Sequence, residues 1–87
     1  MRYNKKPDAL PVVPKSVGIN RFPLVYQVRR TLENFRNGNP FTGEREIRKA
    51  LRDVSDALSD ARTSTRSFLA LTSLASDLET TIEQLKV

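Results

Sequence analysis

The sequence predicts an all-α protein, and three observations carry that prediction. Apolar residues recur at spacings of three and four along two separate stretches, which lines one side of a helix. Residues 44–87 contain neither Pro nor Gly, the two residues that most disfavour a helix interior. Three of the prolines, Pro7, Pro11 and Pro14, gather near the N-terminus instead. The expected architecture is an extended Pro-containing arm over residues 1–22 and a helical body over 23–87. The body comprises one short helix at about 23–37, a loop at 38–43, and a long amphipathic helix or helix pair at 44–86, folded as a hairpin or a small bundle.

The arm comes first. Each proline fixes φ, removes an amide donor and pushes the residue before it out of the α region. Leu10, Val12, Val13, Val17 and Ile19 are too irregularly spaced to bury one another. Such a segment is extended and finds order only against a partner or its own helices. Pro11-Val12-Val13-Pro14 also matches the minimal proline-rich ligand pattern, but that pattern is short, and a structural strap is the stronger reading.

The first helix opens at Pro23, a favoured first-turn residue. Leu24, Val28, Leu32 and Phe35 step by four, four and three, making one apolar face. Gly38 supplies a left-handed stop, and Asn37-Gly38-Asn39-Pro40-Phe41-Thr42-Gly43 is the clearest loop in the chain. Thr42 or Gly43 caps the next helix, whose first turn carries Glu44 and Glu46, where the helix dipole favours acids.

From there Ile47, Leu51, Val54, Leu58 and Ala61 form a heptad-type seam. Phe68, Leu71, Ala75, Leu78, Ile82 and Leu85 resume it. The register breaks across the polar run Arg62–Ser67. Two continuations fit: one long helix with a stammer, or a turn back into a third helix capped by Ser64 or Thr65, which makes a three-helix bundle. The lack of Gly and Pro favours the single long, bent helix.

Composition narrows the chemistry. The chain has 87 residues, no Cys and no His. Disulfides, thiol nucleophiles and cysteine-ligated metals are excluded, together with the commonest general base. Ser16 beside Lys15 is only a neighbour pair, and the expectation is a protein that is not an enzyme and takes no cofactor. Asp53, Asp56 and Asp60 lack the acid spacing, turn glycine and closing Glu of an EF-hand loop, so no metal is expected. No apolar run reaches signal-peptide or membrane-spanning length. The expected protein is soluble, cytoplasmic or within a virus particle, with no membrane partner and no small-molecule substrate.

Charge is uneven. Residues 1–36 hold eight basic and two acidic side chains, residues 37–66 six and five, and residues 67–87 one and three, which accounts for the net +5. Arg2, Lys5, Lys6, Lys15 and Arg21 therefore make a basic arm suited to an acidic protein or to nucleic acid phosphates. Arg45, Arg48, Lys49 and Arg52 cluster on one side of the second helix, the placement a recognition helix needs to face a groove. Asp53 and Asp56, four residues after Lys49 and Arg52, compensate part of that stripe, and a solvated face is the better reading.

The last stretch is more pointed. Thr72, Ser73, Ser76, Thr80 and Thr81 stand where a solvated helix normally carries Lys and Glu, although Ser and Thr are mediocre helix formers. Small hydroxyl side chains permit close helix approach, which suggests an interface. The expected function is non-catalytic assembly: a small helical subunit of a larger complex, packed through its seams against copies of itself or another protein and anchored by its arm. Small subunits of virus particles are built this way, a comparison of architecture alone. The alternative is a small nucleic-acid-binding regulator.

Overall fold

The computed structural model describes residues 18–86, and within them the chain is helical apart from its turns and a short non-helical segment at residues 18–21. The helices are α1 (Phe22–Arg36), α2 (Glu44–Ser59) and α3 (Thr65–Leu85). Arg2, Lys5, Lys6 and Lys15 lie outside the described residues.

Local chemistry sets each boundary. Pro23 stands in the first turn of α1, where its missing N–H costs nothing. Gly38 ends the helix region with φ +78°, a conformation side-chain-bearing residues resist. At the start of α2 the Glu46 carboxylate accepts the Gly43 N–H at 2.9 Å, half of a capping box, since glycine has no side chain to reciprocate. At the start of α3 the Ser64 hydroxyl accepts the Ser67 N–H at 3.2 Å.

The continuous helix favoured for residues 44–86 does not form. Asp60 leaves the helical conformation, with ψ 111°, and the chain turns before α3. The turn needs neither Gly nor Pro because side chains supply its hydrogen bonds. The Asp60 carboxylate accepts the Arg62 N–H at 2.9 Å, an Asx-type turn. The Thr63 hydroxyl donates to the Ala57 carbonyl at 2.6 Å, an oxygen at the helix end that also accepts the Asp60 N–H at 3.2 Å.

All three helices share one core. Val25, Val28 and Leu32 enter it from α1, Ile47, Ala50, Val54 and Ala57 from α2, and Leu71, Leu74, Leu78 and Ile82 from α3. Arg21, just before α1, bonds Ser67 in the first turn of α3, and Arg36 near the end of α1 shares a depression with Asp77. The two helices therefore run in the same direction. Leu24, Val28 and Thr31 line another depression with Glu46, Ala50 and Asp53, and the short loop between Arg36 and Glu44 returns α2 alongside α1 in the opposite direction.

The buried set differs from the seams read off the sequence in an instructive way. Of the seam residues, Val28, Leu32, Ile47, Val54, Leu71, Leu78 and Ile82 are buried, while Leu24, Phe35, Leu51, Leu58 and Ala75 are half-buried at the margin of the core. Phe68 and Leu85, assigned to the seam, are 44% and 38% exposed. On α3 the core line passes through Ser67 and Leu74 instead, one position earlier than Phe68 and Ala75. The cause is that α3 packs against two helices at once, so its buried stripe is wider than a heptad seam. Ala61, the last residue of the earlier seam, is exposed in the turn.

Candidate protein interface and basic face

A short strap brings the N-terminal side of the body into register with the α2–α3 turn. Ile19 forms an isolated parallel bridge with Thr63. The Ile19 N–H donates to the Arg62 carbonyl at 2.6 Å, and the Ser64 N–H donates to the Ile19 carbonyl at 2.9 Å. Next along the chain, the Arg21 N–H donates to the hydroxyl of Ser67, a fully buried side chain, at 2.8 Å. The Ser64 hydroxyl donates to the same oxygen at 2.9 Å. Gly18 lies so close to the turn that a Cβ there would stand 2.6 Å from the Ser64 Cα.

Arg21 thus has a role the sequence did not disclose. Read as an arm residue facing a partner, its guanidinium is paired with Asp60 at 2.6 Å, and its Nε donates to the Thr63 hydroxyl at 3.4 Å. Residues 18–21 belong with the body, and α1 begins at Phe22, inside the range first given to the arm. Asp60 also receives Arg62, from both guanidinium and backbone. Those hydrogen bonds from Arg62, with the added charge of Arg21, hold the Asp60 carboxyl down at about 2. Reciprocally, Asp60 raises the Arg62 guanidinium above its ordinary value. The Gly43 N–H lowers Glu46 in the same manner.

Beside the strap lies an open apolar depression lined by Gly18, Asn20, Phe22, Ser64, Thr65, Arg66 and Leu69. Leu69 is 64% exposed there. Phe22 stacks at a tilt on Tyr26, ring centroids 5.9 Å apart, and the Arg29 guanidinium lies 6.0 Å from the Tyr26 ring centre. The outer side of α3 continues from Leu69 through Thr72, Ser73, Ser76 and Thr80, all exposed. No charged residue falls between Arg66 and Asp77. Thr81 differs from the other hydroxyl residues: it is buried and donates to the Asp77 carbonyl at 2.9 Å.

A second feature lies on α2. Arg45, Arg48, Lys49 and Arg52 line one shallow depression together with Glu44. Arg48 pairs with Glu44 at 2.6 Å and Lys49 with Asp53 at 3.1 Å, while Arg45 and Arg52 have no ion pair among the described residues. These exposed pairs span one helical turn and contribute little to stability, roughly 0.3–0.5 kcal/mol each.

Among the described residues no group of three or more His, Cys, Asp or Glu side chains is placed to hold a metal ion. No helix among them is long and apolar enough to cross a membrane. Sequence reading missed Tyr26, Phe41 and Leu69 as exposed apolar side chains. Tyr26 and Leu69 fall off the seams, and Phe41 sits in a turn, so periodicity had no means to select them. Compared with protein families, with curated proteins and with solved structures, the chain matches none.

Proposed function

We propose that this protein is a non-catalytic assembly subunit, a small up-down-up helical body that attaches to other chains through the outer side of α3 and the apolar depression beside it. The supporting observation is Leu69, more than half exposed at the head of a helix face whose other residues are the small hydroxyls Thr72, Ser73, Ser76 and Thr80. Leu69, Thr72, Ser73, Ser76 and Thr80 themselves carry no charge, and the small hydroxyl side chains let a second helix approach closely. A face built for water would carry Lys and Glu in their place, which form helix better. The basic arm extends the reach of the subunit, through Arg2, Lys5, Lys6 and Lys15, toward an acidic neighbour.

The test is the mass of the full-length protein in solution and its response to Ser73→Arg combined with Ser76→Arg. Both positions are exposed, so the double variant keeps its melting temperature. Under this reading it loses association, because two long charged side chains enter the contact. A wild type that is monomeric and forms no complex in co-purification from its source would defeat the proposal.

A second reading rests on the depression lined by Arg45, Arg48, Lys49 and Arg52, a geometry that suits a phosphate backbone. Salt separates the two. Phosphate contacts release counterions and weaken steeply with ionic strength, whereas packing at the α3 face is nearly indifferent to it.

A further inference from the structure

At one end of the body an exposed aromatic ring precedes a row of cations. Phe41, in the α1–α2 loop, is 86% exposed, yet its backbone is fixed. The Phe41 N–H donates to the Asn39 side-chain oxygen at 2.8 Å. The Thr42 N–H donates to the Asn39 carbonyl at 3.1 Å, and the Asn39 N–H to the Asn34 carbonyl at 3.0 Å. A ring carried on such a turn loses little backbone freedom when something stacks on it.

The cations begin four residues later. Arg45, Arg48, Lys49 and Arg52 line one depression on α2, with about 10 Å of helix between the first and the last. Chain length holds the Cα atoms of Phe41 and Arg45 within about 14 Å of each other. Glu44, a carboxylate lining the same depression, is paired with Arg48, and Asp53 is paired with Lys49. Both pairs are exposed and weak, so an incoming phosphate competes for those two cations. Arg45 and Arg52, like Arg36 at the end of α1, have no ion pair among the described residues. The N-terminus of α2 takes no part, because Glu46 already holds the Gly43 N–H at 2.9 Å.

We infer that this end of the body binds single-stranded nucleic acid, with an unpaired base stacked on Phe41 and the adjoining phosphates along the α2 cations. The two features call for different parts of one ligand. A row of cations fits any phosphodiester backbone. An exposed ring needs a flat, unpaired partner, which a duplex keeps inside its own stack. Ring and cations together span at most about 24 Å, a reach of a few nucleotides. A lipid surface fits less well, since one ring offers little apolar area to insert and its neighbours Asn39 and Thr42 are polar. Every base has a π-face, so the binding is tolerant of sequence.

This inference rests on the phosphate reading of the α2 depression and is independent of the α3 face. The full chain is titrated with labelled oligo(dT) of about twelve nucleotides, with its duplex with oligo(dA), and with inorganic polyphosphate. Fluorescence anisotropy at several salt concentrations follows binding, and circular dichroism checks each variant. Wild type should prefer the single strand. Phe41→Ala should weaken oligo(dT) binding roughly five- to hundredfold, the loss of one stacked base, and leave the salt dependence and polyphosphate binding unchanged. Arg45→Ala combined with Arg52→Ala should lower the slope of log affinity against log salt by about 1.4, as for two phosphates of a single strand. Neither substitution strands an acid, so helicity should hold. The chain has no Trp, and Phe41→Trp therefore reports from that position alone. Its emission should be quenched by oligo(dT) and not by polyphosphate.

A duplex bound as tightly as the single strand, with Phe41→Ala without effect, overturns the inference and leaves the phosphate reading standing. Failure to bind any of the three polyanions overturns both. Oligo(dT) binding indifferent to Phe41→Ala and to the double arginine variant belongs to the basic arm and overturns the inference as well. So does quenching of Phe41→Trp by vesicles rich in phosphatidylserine but not by oligo(dT), which would assign this end to a membrane surface.

Discussion

The Arg21 guanidinium lies 2.6 Å from the Asp60 carboxylate, joining residues 39 positions apart. The pair fastens the segment before α1 to the end of α2, and Arg62 closes on the same carboxylate from the other side at 3.1 Å. One acid thereby organises both the strap and the turn that starts α3. Its titration gives the first prediction. The folded value of Asp60, about 2, lies below its ordinary 3.8. Its contribution is complete above the ordinary value and is lost as pH falls through the folded one. Melting temperatures of wild type and Asp60→Asn, followed against pH, should differ by a constant amount near neutrality and converge between pH 3.8 and about 2. Glu46, lowered by the Gly43 N–H, adds a change of the same sign. A gap that persists unchanged in acid would show that the carboxylate charge is not what holds the strap.

Gly18 and Gly43 should respond oppositely to substitution. A Cβ at Gly18 meets Ser64 Cα at 2.6 Å, Ser64 N at 2.8 Å and the Arg62 carbonyl at 2.9 Å, all backbone atoms that cannot step aside. Gly18→Ala should cost about 1–3 kcal/mol, as overpacking does. Gly43 has an ordinary extended φ of −121° and its nearest neighbour, the Glu46 carboxylate, at 3.8 Å. Gly43→Ser completes a capping box with Glu46 and should stabilise by about 0.5 kcal/mol. Denaturant unfolding of the two variants measures both signs.

The wide stripe on α3 predicts which apolar residues matter to the fold. Leu71 and Leu78 are fully buried, and Leu78→Ala should cost about 2–5 kcal/mol. Leu71→Asp or Leu78→Asp should unfold the body outright, since each buries an unpaired charge. Phe68→Ala and Leu85→Ala remove side chains that are 44% and 38% exposed and should cost less than about 1 kcal/mol. Equal losses at Leu78 and Leu85 in chemical denaturation would return the core to the heptad seam.

Two truncations locate the inner limit of the arm. Removing residues 1–17 takes away four basic side chains and Asp8 but none of the strap contacts, so helicity and melting should be preserved. Removing residues 1–21 also deletes the Ile19 bridge, the Arg21 N–H bond to Ser67 and the ion pair to Asp60. With Ser67 keeping only the Ser64 hydroxyl of its two donors, stability should fall by about 2–4 kcal/mol, the sum of a few net hydrogen bonds. Circular dichroism melts of the two truncations check this directly. Indistinguishable melts would mean that the strap carries no stability.

The sequence by itself determined the helical class, the loop at 38–43, the start of α2 and, among the buried residues of α1 and α2, Val28, Leu32, Ile47 and Val54 but not Val25, Ala50 or Ala57. Those features follow from local rules: three- and four-residue apolar spacing, Gly at a helix end, acids in a first turn. Tertiary structure decided the rest. Residues 60–64 turn because Asp60 and Thr63 bond their neighbours' backbone, a choice no Gly or Pro announces. Ser67 is fully buried because the Arg21 N–H and the Ser64 hydroxyl, one of them far away in sequence, satisfy its oxygen. Phe68 and Leu69 face outward although the run Phe68–Leu71 is wholly apolar. Periodicity fixes a helical face only up to the number of neighbours that cover it, and a helix packed against two others buries a wider and rotated stripe. Leu69 and Phe41 are apolar side chains left exposed once that packing is complete.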